Sequence, residues 1–141
     1  MSTPGVGTRR FADVKVGDEL APLSIDVSTR LIVAGAIATR DFQDVHHDKD
    51  GAQALGSPHI FMNILTTNGL VGRYVTDWAG PEAMLRSVKI RLGAPNYPGD
   101  VMVFSGKVVS VDAGEQVAEI EVAGKNRLGS HVTGSVTVAL P

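Results

Sequence analysis

Asp41 and His46 are the two side chains in this sequence best suited by type and spacing to move a proton. They lie five residues apart in Ala38-Thr39-Arg40-Asp41-Phe42-Gln43-Asp44-Val45-His46-His47-Asp48, a stretch hard to continue as a helix. A carboxylate and an imidazole differ in pKa, and on one loop they can share a water and shuttle its proton. The plainer alternative is that Asp41 caps a turn and His46 is an ordinary hydrogen-bonded polar residue. His47 follows His46 directly, and consecutive residues in an extended loop point apart. It is therefore assigned to solvent or to a structural hydrogen bond.

Metal chemistry does not fit the same cluster. His46-x-Asp48-x-Asp50-Gly51 imitates the start of a calcium loop, but the twelfth position is Ser57, not the bidentate Glu. His59 and His131 lack partners at zinc-ligand spacing, and the chain has no cysteine. No metal and no cofactor is expected. A net charge of −2 argues against a nucleic-acid partner, which calls for a basic patch. No apolar run approaches the length of a membrane span, and Met1–Arg10 has no apolar signal core. With zero cysteines, these features lead to the expectation of a cytoplasmic protein with no membrane partner.

The elements that must hold the pair follow from periodicity. Residues 1–10 are rich in Gly, Thr and Pro and are expected to form a flexible N-terminus, with a single domain over 11–141. A strand is expected over Glu19–Val27. Ser28 is a natural N-cap for a helix from Thr29 to about Thr39, with Leu31, Ala34, Ile37 and Ala38 on one face. A short helix near Asp50–Leu55 would end at Gly56. Ile60, Ile64, Val71, Val75 and Trp78 predict a central helix over 60–78, closed by Gly80-Pro81. Gly69 and Gly72 inside it suggest a close approach to a sheet. From Met84 the period becomes two, and four strands follow, near 84–92, 101–111, 116–123 and 131–140. The fold class is α+β, an antiparallel sheet wrapped around a central helix.

Over about residues 11–141 the chain resembles the MaoC-like hydratases of the hotdog fold. Their hydratase motif has the approximate form [S/T]-G-D-x-N-P-[I/L/V]-H. Here it reads Thr39-Arg40-Asp41-Phe42-Gln43-Asp44-Val45-His46, keeping the Asp and His and replacing the Gly, Asn and Pro. Phe11–Asp18, Asn96–Asp100 and the closing Gly134–Pro141 also match. A narrower resemblance is to the small catalytic subunits of actinobacterial steroid side-chain enoyl-CoA hydratases. It rests on A-T-R-D-F-Q-D-V-H-H-D and F-M-N-I-L-T-T-N-G-L-V-G-R-Y-V-T-D-W-A-G-P.

The resemblance implies hydration of an acyl-CoA substrate, a 2-enoyl thioester, with Asp41 and His46 as the catalytic acid–base pair. It implies a supporting role for Gln43, which stands where the family has an orienting Asn. It implies an oxyanion donor among the backbone N–H groups at the start of the central helix, with Asn63 in the matching place. It also implies a hetero-oligomer with a larger MaoC-like subunit that lacks the pair, consistent with a central helix more apolar than one sheet can cover. Phe61, Met62, Leu65 or Leu70 are expected near that interface. Two alternatives remain: a non-catalytic partner completing another subunit's site, and a hotdog thioesterase. Retention of both Asp41 and His46 counts against the first. The absence of Asp and Glu from residues 60–76 counts against the second. Lys89, Arg91, Lys125 and Arg127 are candidates for the CoA phosphates, against the simpler reading of a solvated strand face.

Overall fold

The computed structural model describes residues 7–141. Five antiparallel strands make one sheet, with β1 at Glu19–Val27, β2 at Met84–Leu92, β3 at Asp100–Asp112, β4 at Val117–Asn126 and β5 at Gly129–Ala139. Their order across the sheet is β1-β3-β4-β5-β2. Helices α1 (Thr29–Ala38), α2 (Lys49–Ala54) and α3 (Ile64–Ala79) all fall between β1 and β2 in the chain. This is the expected hotdog arrangement, with α3 as the wrapped helix.

Alternation explains which face of the sheet meets α3. Met102, Phe104 and Val108 of β3, Ala118, Ile120 and Val122 of β4, and Val136 and Val138 of β5 point inward and are buried. Val71, Tyr74, Val75 and Ala79 of α3 complete that core. Tyr74 stacks on Phe104 at 5.2 Å, and its hydroxyl donates to the Ala21 carbonyl at 2.9 Å. Desolvation raises the phenol above its ordinary pKa.

The central helix starts four residues later than its apolar period predicts. Ile60–Asn63 lies outside the helix, with Ile60 and Met62 buried and Phe61 only half-buried. Two backbone bonds hold that segment out of the helix: Phe61 N–H to Val45 O at 3.0 Å and Met62 N–H to Asn96 O at 3.1 Å. Asn63 then caps α3, its side-chain oxygen accepting from Thr66 N–H at 3.0 Å. As a result Ile64, expected on the core face, is exposed, and Met62, expected near an interface, is core. Phe61 and Leu70 are half-buried, and Leu65 is exposed.

The close approaches also fall elsewhere than expected. A Cβ on Gly69 would meet nothing within 4 Å, and one on Gly72 would reach only Leu85 Cδ1 at 3.6 Å. Gly35 is the tight position, because a Cβ there would overlap Thr66 Oγ1. This contact turns α1, so that Ile32 and Ala36 are its buried residues rather than Ala34 and Ile37. α1 is apolar almost all round, and its packing against α3 selects the face.

Of the expected flexible N-terminus, residues 1–6 lie outside the described residues. The remainder is tied to the end of α3. Arg9 N–H bonds Ala79 O at 2.8 Å, its guanidinium lies 4.9 Å from the centre of the Trp78 ring, and Thr8 Oγ1 accepts from Glu82 N–H at 3.0 Å. No helix among the described residues is long and apolar enough to cross a membrane.

Candidate active site

Asp41 is placed by the way α1 ends. Arg40 N–H bonds Ile37 O at 3.1 Å and Asp41 N–H bonds Ala36 O at 2.9 Å, the two bonds of a Schellman cap. Such a cap needs a left-handed residue, and here it is Arg40, at φ 57°. The family motif has Gly at this point, and for a residue with a Cβ the conformation costs about 1–2 kcal/mol. Arg40→Gly should therefore raise stability by roughly 1 kcal/mol. A higher urea midpoint with an unchanged slope is the expected result.

His46 is placed by the loop that follows. Residues Asp44–His46 form a single 3-10 turn, closed by His46 N–H to Gln43 O at 3.0 Å. The imidazole is buried, packs edge-on against Phe61 at 5.0 Å, and points Nδ1 at the Phe61 carbonyl at 2.7 Å. A carbonyl oxygen only accepts, so Nδ1 carries a proton, and Nε2 is the ring atom turned toward Asp41. That Nε2 lies 3.4 Å from Asp41 Oδ2. The same oxygen accepts from Asn63 Nδ2 at 3.1 Å, and Nδ2 also donates to Thr39 Oγ1 at 2.8 Å. Because Asn63 Oδ1 accepts from Thr66 N–H, the orientation of the amide is fixed. One side chain thus ties the C-cap residue of α1 to the head of α3 and holds Asp41.

The other candidates separate clearly. Gln43 contributes backbone only: its N–H approaches Asp41 Oδ1 at 3.5 Å, while its side chain is exposed and bonds nothing among the described residues. The side-chain support expected of Gln43 comes instead from Asn63, reaching in from the head of α3. His47 Nε2 donates to Phe42 O at 3.2 Å, a structural bond. Lys89, Arg91, Lys125 and Arg127 are all exposed, and Arg127 faces Asp100 at 4.0 Å. α3 carries no carboxylate before Asp77, which is exposed and paired with Arg73 at 3.3 Å, so a thioesterase acid is missing from its usual place. Among the described residues no three His, Cys, Asp or Glu side chains converge as a metal site.

A cavity of about 280 Å³ opens beside His46, lined also by Phe61, Met62, Asn63 and Ile64, by Leu92, Gly93 and Pro95, and by His131. Among the described residues the backbone N–H groups of Asn63 and Ile64 donate to nothing in the chain. Both stand at the positive end of the sixteen-residue α3. A larger hollow of about 730 Å³ lies over β1, β3 and β4, but it holds no histidine, and its charged groups are Glu19, Lys107 and Glu121. Of the two, only the smaller is lined by a member of the Asp41–His46 pair, His46.

Sequence reasoning weighed His131 only as a metal ligand and gave it no place at the site. It is buried on β5, with Nδ1–H donating to Ala94 O at 2.6 Å and Nε2 accepting from the Thr67 hydroxyl at 2.9 Å. Desolvation pushes its pKa below 6.5, opposed in part by the bond to Ala94. The unfolded chain then binds more protons than the native one as pH falls through 6.5, so stability is complete above that value and is lost below it. Urea midpoints should fall between pH 7.5 and 5.5, and that slope should flatten in His131→Asn.

Fold and site together define a hotdog subunit with an Asp–His pair beside the free N-terminus of its central helix. No family model matches the chain. The 3-oxo-4,17-pregnadiene-20-carboxyl-CoA hydratase beta subunit of Mycobacterium tuberculosis is 51% identical over 125 residues, covering 89% of this chain and 95% of that protein. A chain of the ChsH1-ChsH2 complex from Mycobacterium tuberculosis superposes with a TM-score of 0.87 at 50% identity, over 90% of this chain and 98% of that one. A solved MaoC-like dehydratase gives a TM-score of 0.86 at 27% identity, over 96% of this chain and 43% of its own. The chain belongs to the MaoC-like hydratases, hydro-lyases of the hotdog fold.

Proposed function

We propose that this chain is the acid–base subunit of an enoyl-CoA hydratase acting on a 2-enoyl thioester of the steroid side-chain class. The observation that carries the reading is the close approach of an imidazole nitrogen and a carboxylate oxygen. Nε2 of His46 and Oδ2 of Asp41 stand 3.4 Å apart, so one water can hydrogen-bond both. With the imidazole in its neutral form, a water donates one O–H to each and turns its lone pairs away from the pair. Attack on C3 forms the C–O bond, and the C2=C3 pair moves toward the thioester carbonyl. The pair takes one proton from the water and returns one to C2, so protons balance. The enolate oxygen accepts from the free N–H of Asn63 or Ile64, where such donors contribute most.

The partner follows from size and from the relatives. At about 280 Å³ the cavity falls below the roughly 300–1,000 Å³ of sites that enclose a drug-sized ligand. A polycyclic acyl group must extend past this chain. Ile64 and Leu65 beside the cavity, and Met84 and Leu85 on edge strand β2, are exposed and apolar, and Gly69 leaves the adjoining helix face open. The relative is named as a beta subunit and the matching solved chain comes from a two-component complex. We assign this chain to a hetero-oligomer with a larger MaoC-like subunit that completes the acyl site.

The test follows enoyl absorbance over a panel of 2-enoyl-CoA esters, with and without a MaoC-like subunit encoded beside this chain. Turnover of bulky cyclic esters by the complex, and weak turnover by this chain alone, is expected. Exhaustive EDTA treatment should leave the rate unchanged. A large loss restored by a divalent ion would overturn the acid–base mechanism, and full activity of the isolated chain would overturn the partner.

A further inference from the structure

His131 lines the same cavity as His46 and Asn63, yet hydration by the Asp41–His46 pair makes no use of it. Both of its ring nitrogens are turned into the protein, Nδ1–H to Ala94 O and Nε2 to the Thr67 hydroxyl. No atom is left to exchange a proton with a substrate, so His131 acts as a link. Ala94 lies in the segment that leaves β2 and forms one cavity wall with Leu92, Gly93 and Pro95. Thr67 lies in the first turn of α3, and its N–H donates to Asn63 O at 3.2 Å. Thr67 Oγ1 is 2.9 Å from His131 and 3.4 Å from Asn63 O, so its single proton goes to the imidazole. The wall has no slack on its other side. Gly93 N–H bonds His131 O at 2.7 Å, Ala94 N–H bonds Ser130 O at 2.8 Å, and a Cβ on Gly93 would overlap the Ser130 carbonyl.

We propose that His131, through Thr67, is a positioning residue that sets the distance between the N-terminal amides of α3 and the Leu92–Pro95 wall. The thioester lies between these two surfaces, so the link decides how well its oxygen meets the amides. This rests on the reading of the Asn63 and Ile64 amides as oxyanion donors. Such donors act more strongly on the developing enolate than on the bound ester, so the loss should appear in kcat rather than KM.

The experiment compares the complex carrying wild-type chain, Thr67→Val, Thr67→Ser and His131→Asn, and the Thr67→Val/His131→Asn double variant. Rates are taken per folded molecule, well below each melting temperature. Val keeps the volume of Thr67 without its hydroxyl, Ser keeps the hydroxyl, and Asn keeps a donor toward Ala94 but loses the acceptor for Thr67. Thr67→Val and His131→Asn should each lower kcat by about 10–10²-fold, the scale of a misplaced reacting group. KM should move by less than about threefold. Thr67→Ser should recover most of the rate, and the double variant should lose no more than the worse single. Unchanged kcat in Thr67→Val, or losses confined to KM, overturns the proposal. If His131→Asn does not fold, the Val and Ser variants of Thr67 decide alone. A wild-type complex inactive on every 2-enoyl-CoA would defeat the hydratase reading and this proposal with it. Wild-type turnover with unaffected variants defeats only the positioning role.

Discussion

Asp41→Asn is expected to lower kcat by about 10²–10⁴-fold, and His46→Ala by a similar factor. The first variant keeps an oxygen that can still accept from Asn63, so the loop stays in place, but an amide does not take up the water's proton. The second removes Nε2 and also leaves the Phe61 carbonyl without its donor. That loss adds a stability cost of about 1–3 kcal/mol. Melting temperatures separate the two contributions: Asp41→Asn should melt near wild type, His46→Ala a few degrees lower, and both should be nearly inactive at temperatures where they are folded. An Asp41→Asn complex with wild-type kcat would remove Asp41 from the chemistry.

Asn63 carries the second large effect, because one amide does two jobs. Its oxygen caps α3, and its nitrogen holds Asp41 Oδ2 and Thr39 Oγ1. Asn63→Ala loses both. The missing cap costs about 1 kcal/mol, and the freed Asp41 costs roughly 10–10²-fold in kcat. Asn63→Ser separates the jobs, since a hydroxyl can cap the helix yet is too short to reach Asp41. Serine should restore the urea midpoint and leave kcat low. A serine variant that recovers both would mean that Asp41 needs no support from Asn63.

How much of this was written in the sequence differs by element. β3 and β4 were legible because Met102, Phe104, Val108, Ile120 and Val122 alternate, and a sheet with one covered face must read that way. The Asp41–His46 pair was legible from residue type and spacing, supported by the hydratase motif. The start of α3 was not. Ile60-Phe61-Met62 is an apolar run that fits strand and helix alike, and the bonds to Val45 and Asn96 that decide the matter come from distant parts of the chain. The cap was visible in principle, as an Asn just before Ile64-Leu65. On α1 the period failed for the opposite reason: nearly every position is apolar, so only the contact of Gly35 with Thr66 selects a face.

The same distance from local pattern hid the supports of the site. Gln43 held the expected place in the motif, but the amide that reaches Asp41 is Asn63, 22 residues further along the chain. His131 and Thr67 left one trace each, a histidine just before the inward row Val132, Val136 and Val138 of β5, at the irregularity where Ser130 and Val132 pair with consecutive residues of β4, and a hydroxyl on the core face of α3. A buried polar side chain needs a partner, and two such residues facing one core are natural partners for each other. They are 64 residues apart, and only the wrapping of the sheet around α3 brings them together.

The central claim, one water shared by Asp41 and His46, is tested most directly by a double-variant cycle in the complex with the larger subunit. Hydration of a bulky cyclic 2-enoyl-CoA is timed for wild type, Asp41→Asn, His46→Ala and the two together. Two groups acting on one water predict that the double variant loses little more than the worse single, far less than the product of the two losses. A double variant slowed by the full product, or one still turning over at the wild-type rate, would contradict the shared water.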